Sequence, residues 1–286
     1  MDTLHHETLD TQKEQDWFDQ SHQIQEIRKK GLEAVMRGAT QEQILHAFEG
    51  REKKVCCMDE GISEGVIRTA GSGILLEGTD RLAFIEAMKK NNIQGIQSHE
   101  ECGAAALFKK QKGIEGKTTD EIAIEHAKQL AHEIGVPYLG HISASEMKRP
   151  KEYHHARVLY YDGTGRFQPH ALNGVWPNGF VVSRRFLTEE ASLREVALAL
   201  DIAFGDHGFG KKFSTRESFL IIAIGDTKKD GFSATQMEEE LMKLQQQLFR
   251  SRDIRSGRIE IRDFSAPEME QEKNMDELGQ VESAVF

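Results

Sequence analysis

Between Lys54 and Leu139, short apolar runs alternate with stretches whose apolar residues recur at helical spacing, and this alternation narrows the possible folds more than any other feature. The runs at 54–58, 66–68, 93–98 and 136–139 are strand-like. The stretches at 79–90, 103–110 and 118–134 are helical, with Leu82, Ile85 and Met88 expected on the inward face of the first and Thr118 or Thr119 capping the last. Consecutive strands separated by helices cannot pair through tight turns. They call for crossover connections, hence an α/β fold with a mainly parallel sheet flanked by helices.

The flanking regions are read with the same rules. Residues 1–20 are polar and acidic and predict a loose N-terminal arm. Residues 21–48 predict two helices interrupted at Gly38-Ala39-Thr40, with Thr40 capping the second. Together with the alternating region they make a domain over 21–168. Residues 169–264 predict an α+β extension packed on it: strands at 179–184, 219–224 and 258–264, and helices at 187–204 and 234–250. Asp162-Gly163-Thr164 predicts a hairpin turn. Residues 265–286 predict an acidic, disordered tail. No internal repeat is visible.

Composition excludes several classes. A net charge of −10 opposes general nucleic-acid binding, which needs clustered Lys and Arg on phosphates. No apolar run approaches the roughly 20 residues of a membrane span, and the first residues lack the pattern of a secretory signal. Three cysteines cannot all pair, so reduced thiols and a cytoplasmic setting are expected.

Those cysteines carry the chemistry. Cys57 ends one strand-like run, and His99-x-x-Cys102 follows another. Strand ends are where open parallel sheets build their sites. Two thiolates and one imidazole suit zinc better than magnesium or calcium, and three protein ligands leave a fourth position free. Cys56 points to the opposite strand face from Cys57 and is expected in the core. His154, His155 and His170 are expected on the surface; His141 is a candidate neighbour of the strand ends.

Cys57-x-Asp59, Arg68-Thr69-Ala70-Gly71 and His99-x-x-Cys102-Gly103-Ala104 resemble, in order, the Cys-x-Asp-x-Arg, Arg-Asn-Ala-Gly and His-x-x-Cys-Gly motifs of the β-class carbonic anhydrases. The likeness is clearest over residues 54–110. It implies Zn2+ on Cys57, His99 and Cys102, with Arg68, Ala70, Gly71 and Gly103 forming the substrate pocket and its backbone. It implies reversible hydration of carbon dioxide to bicarbonate by zinc-bound hydroxide. It also implies a homodimer or larger homo-oligomer in which the N-terminal helices pack on a partner. Asp59 would orient the hydroxide as the catalytic residue, or bind zinc as a fourth ligand. The Arg that follows the family's Asp by two residues is Gly61 here, which removes the partner that holds the Asp off the metal; Arg68 is a candidate substitute. The rival expectations are a silent zinc protein with Asp59 closing the site and a related zinc hydrolase of another small linear molecule.

Overall fold

The computed structural model describes residues 2–228 and 231–268. Its strands form two four-stranded sheets. The first contains β1 (Lys54–Cys57), β2 (Ile67–Thr69), β3 (Gly95–His99) and β4 (Tyr138–Ile142) in the order β2-β1-β3-β4. Every pairing in it is parallel, with a register shift between Ile96 and Ser98 where β3 meets β4. The crossovers run through α4 (Gly78–Lys90), α5 (Gly103–Lys112) and α6 (Thr119–Ile134). A capping box at Thr118 starts α6, and Gly135 in left-handed conformation ends it. In α4 the inward positions are Phe84, Ile85 and Met88, and Leu82 is exposed, contrary to the helical spacing chosen above.

The expected α+β extension is a second parallel sheet. It contains β5 (Val158–Asp162), β6 (Phe180–Val182), β7 (Phe219–Gly225) and β8 (Ile259–Ser265) in the order β6-β5-β7-β8. All its pairings are parallel, with crossovers through α7 (Glu189–Phe204) and α8 (Ala234–Arg250). The α/β class with parallel strands therefore extends over both halves. β5 belongs to the second sheet, so no boundary at residue 168 separates the sheets. No hairpin forms at 162–164. Asp162 accepts hydrogen bonds from the Thr164 amide and hydroxyl, and the chain runs on to a 3-10 turn at Pro169–Leu172.

The second sheet is buried on both faces, which explains why β5 and β7 read as unbroken apolar runs. Leu159 and Tyr161 face a core shared with the first sheet. Val158 and Tyr160 face the opposite way, onto the N-terminal helices α1 (Asp2–Lys30), α2 (Leu32–Met36) and α3 (Gln41–Phe48). Ile24, Ile27, Leu32, Met36 and Phe48 of these helices are buried there, and Thr40 caps α3 as expected.

Residues 2–20 are not a loose arm: they continue into α1 as one helix. Tertiary contacts hold this polar segment. Trp17 meets Phe209 and Phe213 edge-on, the Arg157 guanidinium lies 3.5 Å above the Trp17 ring, and the Tyr153 hydroxyl donates to Asp16. The tail expected to be disordered lies, from residue 269 on, outside the described residues. Among the described residues no helix is long and apolar enough to cross a membrane.

Candidate metal centre

Cys57 is the last residue of β1, His99 the last of β3, and Cys102 caps α5. Adjacent parallel strands thus deliver two donors at the same end of the sheet, and a short turn brings the third. The Cys57 and Cys102 sulfurs and a ring nitrogen of His99 lie within 4.8 Å of one another, all on buried residues. Cys56 is buried on the other strand face, with Sγ 3.4 Å from Gln97 Oε1, and burial pushes its thiol up to about 11. It is a core residue, as expected.

The surroundings of the three donors suit a cation. His99 Nδ1 lies 2.8 Å from the Glu100 carbonyl oxygen, to which only an N–H can donate. In the neutral ring that bond fixes the tautomer and leaves Nε2 with a lone pair. Among the described residues Nε2 is buried and has no oxygen or nitrogen partner, and the Cys57 sulfur is its neighbour. A buried, unsatisfied acceptor costs stability unless something fills it. Cys57 Sγ accepts from the Gly71 amide at 3.3 Å, and the N-terminal end of α5 favours thiolate at Cys102. The hydrogen bond from Cys102 and the neighbouring His99 pull the Cys57 thiol well below its usual range, while the same bond and burial push Cys102 up. Burial opposes charge on His99, but Cys57 beside it raises the imidazole to about 9. Protons shared in this way are released when a cation takes their place.

The turn after β2 needs glycine at Gly71. Its φ is 54°, and a Cβ there would lie 2.6 Å from Ile74 Cγ2 and 3.0 Å from Ala104 Cβ. Ala70 is buried behind it. Gly103 has open space where a Cβ would project, and with Glu101, Arg149 and His154 it lines a cleft of about 780 Å3, whose wall thus includes both chain neighbours of Cys102.

Asp59 is held by an arginine from a distant part of the chain. Arg149 Nε donates to Asp59 Oδ1 at 2.8 Å and Nη2 to Oδ2 at 3.1 Å, and the Gly61 amide donates to Oδ1 at 2.8 Å. Gly61 makes this possible: a Cβ there would lie 2.7 Å from Arg149 Cγ and 2.8 Å from Met147 Cε. The missing motif arginine is thus replaced in space, and glycine at its sequence position provides the room. Burial would raise the Asp59 carboxyl, but His154 and Arg149 beside it hold it well below the usual carboxylate range. Arg68, the candidate substitute, makes no hydrogen bond to Asp59. Its guanidinium is buried and donates to the carbonyls of Gly65, Cys57 and Ile62 and to Gln168 Oε1, so it organises the backbone around β1 and β2.

The histidines expected on the surface are drawn inward. His154 Nδ1 is 3.0 Å from Glu60 Oε2 and 3.8 Å from Asp59 Oδ2, and His170 Nε2 is 3.0 Å from the Glu60 carbonyl oxygen. His155 is half-buried, its amide donating to Glu60 Oε1. His141 Nδ1 meets Ser98 Oγ at 2.7 Å, just behind the end of β3. No sequence motif marks Glu195. It lies on the buried stripe of α7 with Ala191, Ser192, Val196 and Ala199, where its hydrophobic neighbours were the available signal. There it accepts a hydrogen bond from the Thr69 hydroxyl.

Fold and site together define an α/β protein with a buried Cys2His group able to hold a metal ion. Compared with known proteins, the chain matches no family model, no curated protein and no solved structure.

Proposed function

We propose that this protein is a zinc-dependent lyase that hydrates carbon dioxide reversibly to bicarbonate, as its motifs imply. The observation that carries the reading is the Arg149–Asp59 pair. With both carboxylate oxygens engaged by Arg149, Asp59 lies outside the three-donor cluster, which would leave a zinc held there one coordination position free. Three protein ligands and one free position are the pattern of catalytic rather than structural zinc. Zinc in such a setting lowers the pKa of water from ~15.7 toward ~7.

The chain's own residues have separate tasks. Cys57, His99 and Cys102 bind the ion. Asp59, kept anionic by His154 and Arg149, orients the reacting water through its carboxylate. The Gly71 amide steadies the Cys57 sulfur. The cleft past Gly103 admits a small substrate and releases the product.

The test measures bound metal and stopped-flow carbon dioxide hydration on one preparation. The expected result is one zinc per chain and hydration that rises with pH, both lost in Cys57→Ser. Stoichiometric zinc with no hydration up to pH ~9, well above the ~7 of an activated zinc water, would instead identify a silent zinc protein.

A further inference from the structure

We propose that residues 158–265 are a second copy of the unit built by residues 54–142, stripped of its metal ligands, and that it serves the metal centre within the same chain, with Glu195 as the positioning residue. The Glu195 role rests on the metal reading above; the duplication stands on topology.

Both sheets are all-parallel, and their orders, β2-β1-β3-β4 and β6-β5-β7-β8, are the same permutation of chain order. Each second strand is followed by a 3-10 turn and then a helix, and each third strand leads through helix to a fourth. The registers agree as well. Val55 pairs with Ile67 on one side and Ile96 on the other, as Leu159 pairs with Phe180 and Ile221. Aligning these pairs places Tyr161 at the position of Cys57, Val182 at Thr69, Arg184 at Gly71 and Ile224 at His99.

The second unit has thus exchanged its sulfur and imidazole positions for a phenol and a hydrocarbon. The Tyr161 hydroxyl donates to Glu240 Oε2 at 2.8 Å and meets Ser192 Oγ at 2.7 Å. Glu240 is closed by Arg184 through bonds of 2.7 and 3.0 Å. A self-satisfied ion pair fills the place where the first unit gathers its donors.

The units meet edge to edge. The Ser183 amide donates to the Arg68 carbonyl at 2.9 Å, Ser183 Oγ donates to the Val66 carbonyl at 3.1 Å, and the Val181 amide donates to the Met58 carbonyl at 3.1 Å. Met58 lies beyond the level of the Cys57–Thr69 pair, so β6 runs against β2, the arrangement a two-fold axis between like units produces. Helices are exchanged across this seam. The Thr188 hydroxyl at the start of α7 donates to Asp80 on α4 at 2.7 Å, α4 packs on the turn at Arg184–Phe186, and Glu195 on α7 takes the Thr69 hydroxyl. The N-terminal helices, which the family resemblance would pack on a partner subunit, spend their apolar face on the second unit of this chain.

Glu195 is the link to the metal. It is 4% exposed, and its bond to Thr69 anchors the start of the turn that presents the Gly71 amide to Cys57 Sγ.

The experiment uses the full chain. Sedimentation gives its mass, metal analysis gives ions per chain, and cobalt(II) substitution reports the Cys57 bond through its thiolate charge-transfer band. We expect a monomer with one ion. Glu195→Ala should shift the band and weaken cobalt affinity by about tenfold, with Glu195→Gln restoring both because its amide oxygen still accepts from Thr69. Should Glu195→Ala not fold, Thr69→Val removes the same bond from the other side. A stable dimer, or two ions per chain, overturns the in-chain service. Wild-type band and affinity in a folded Glu195→Ala or Thr69→Val overturn the role of Glu195. If wild type takes up no metal, the zinc reading fails, and the mass alone decides whether one chain is self-sufficient.

Discussion

Replacing Arg149 by Met keeps an unbranched apolar stem and removes the guanidinium with its charge. The pair is buried, with Arg149 6% and Asp59 4% exposed, and two hydrogen bonds join them. Without the guanidinium, Asp59 retains the Gly61 amide and His154, whose Nδ1 is 3.8 Å away. Removing one partner of a buried pair costs about 3–5 kcal/mol, because the remaining charge stays desolvated. Urea unfolding of chelator-treated protein should show that loss as a lower midpoint with an unchanged slope. In zinc-loaded protein the freed carboxylate has a new partner in the ion. The stability loss should shrink, zinc content should stay at wild-type level, and hydration should disappear as Asp59 takes the open position. Adding Asp59→Asn removes the uncompensated charge and should recover most of the stability of the metal-free form. An Arg149→Met protein within 1 kcal/mol of wild type when metal-free, and hydrating carbon dioxide at the wild-type rate when zinc-loaded, would refute the reasoning.

Two further outcomes follow from the same geometry. Gly61→Ala forces a Cβ against Arg149 Cγ and Met147 Cε, so thermal unfolding should show a destabilisation of about 1–3 kcal/mol and hydration should fall more than zinc content does; a neutral substitution would show that Arg149 has other room. Burial raises the Glu195 carboxyl to about 8. The folded state then binds this proton more tightly than the unfolded chain, so the carboxyl withdraws stability as pH rises from ~4.3 through 8. Glu195→Gln carries no such proton, and its melting temperature relative to wild type should climb from pH 5 to pH 8.5; parallel pH curves would show that Glu195 does not titrate in this window.

The sequence reveals the elements whose signal is local. The parallel class followed from strand–helix alternation, and caps at Thr40 and Thr118 followed from residue type. The meeting of the three donors was legible because His99 and Cys102 sit three residues apart and Cys57 ends a neighbouring apolar run. The sequence signals α1 only from residue 21, because residues 2–20 carry little apolar periodicity and are held by Trp17 and Asp16 contacts to residues far along the chain. Arg149 was missed because 90 residues separate it from Asp59 and no motif marks it. The duplication left no trace in residue identity: Tyr161 for Cys57 and Ile224 for His99 share only backbone geometry. Asp162-Gly163-Thr164 did make a local turn, but a turn signal does not tell whether the next strand returns beside the first.

The seam between β2 and β6 also bears on how the chain is born. Residues 54–142 leave the ribosome before β6, so for a time the outer edge of β2 has bare amide and carbonyl groups facing solvent. Such an edge is a template for pairing with another nascent chain. Synthesis of the second half is therefore also the act that seals the first, and a pause or premature stop near residue 157 would release a fragment prone to joining others through that strand.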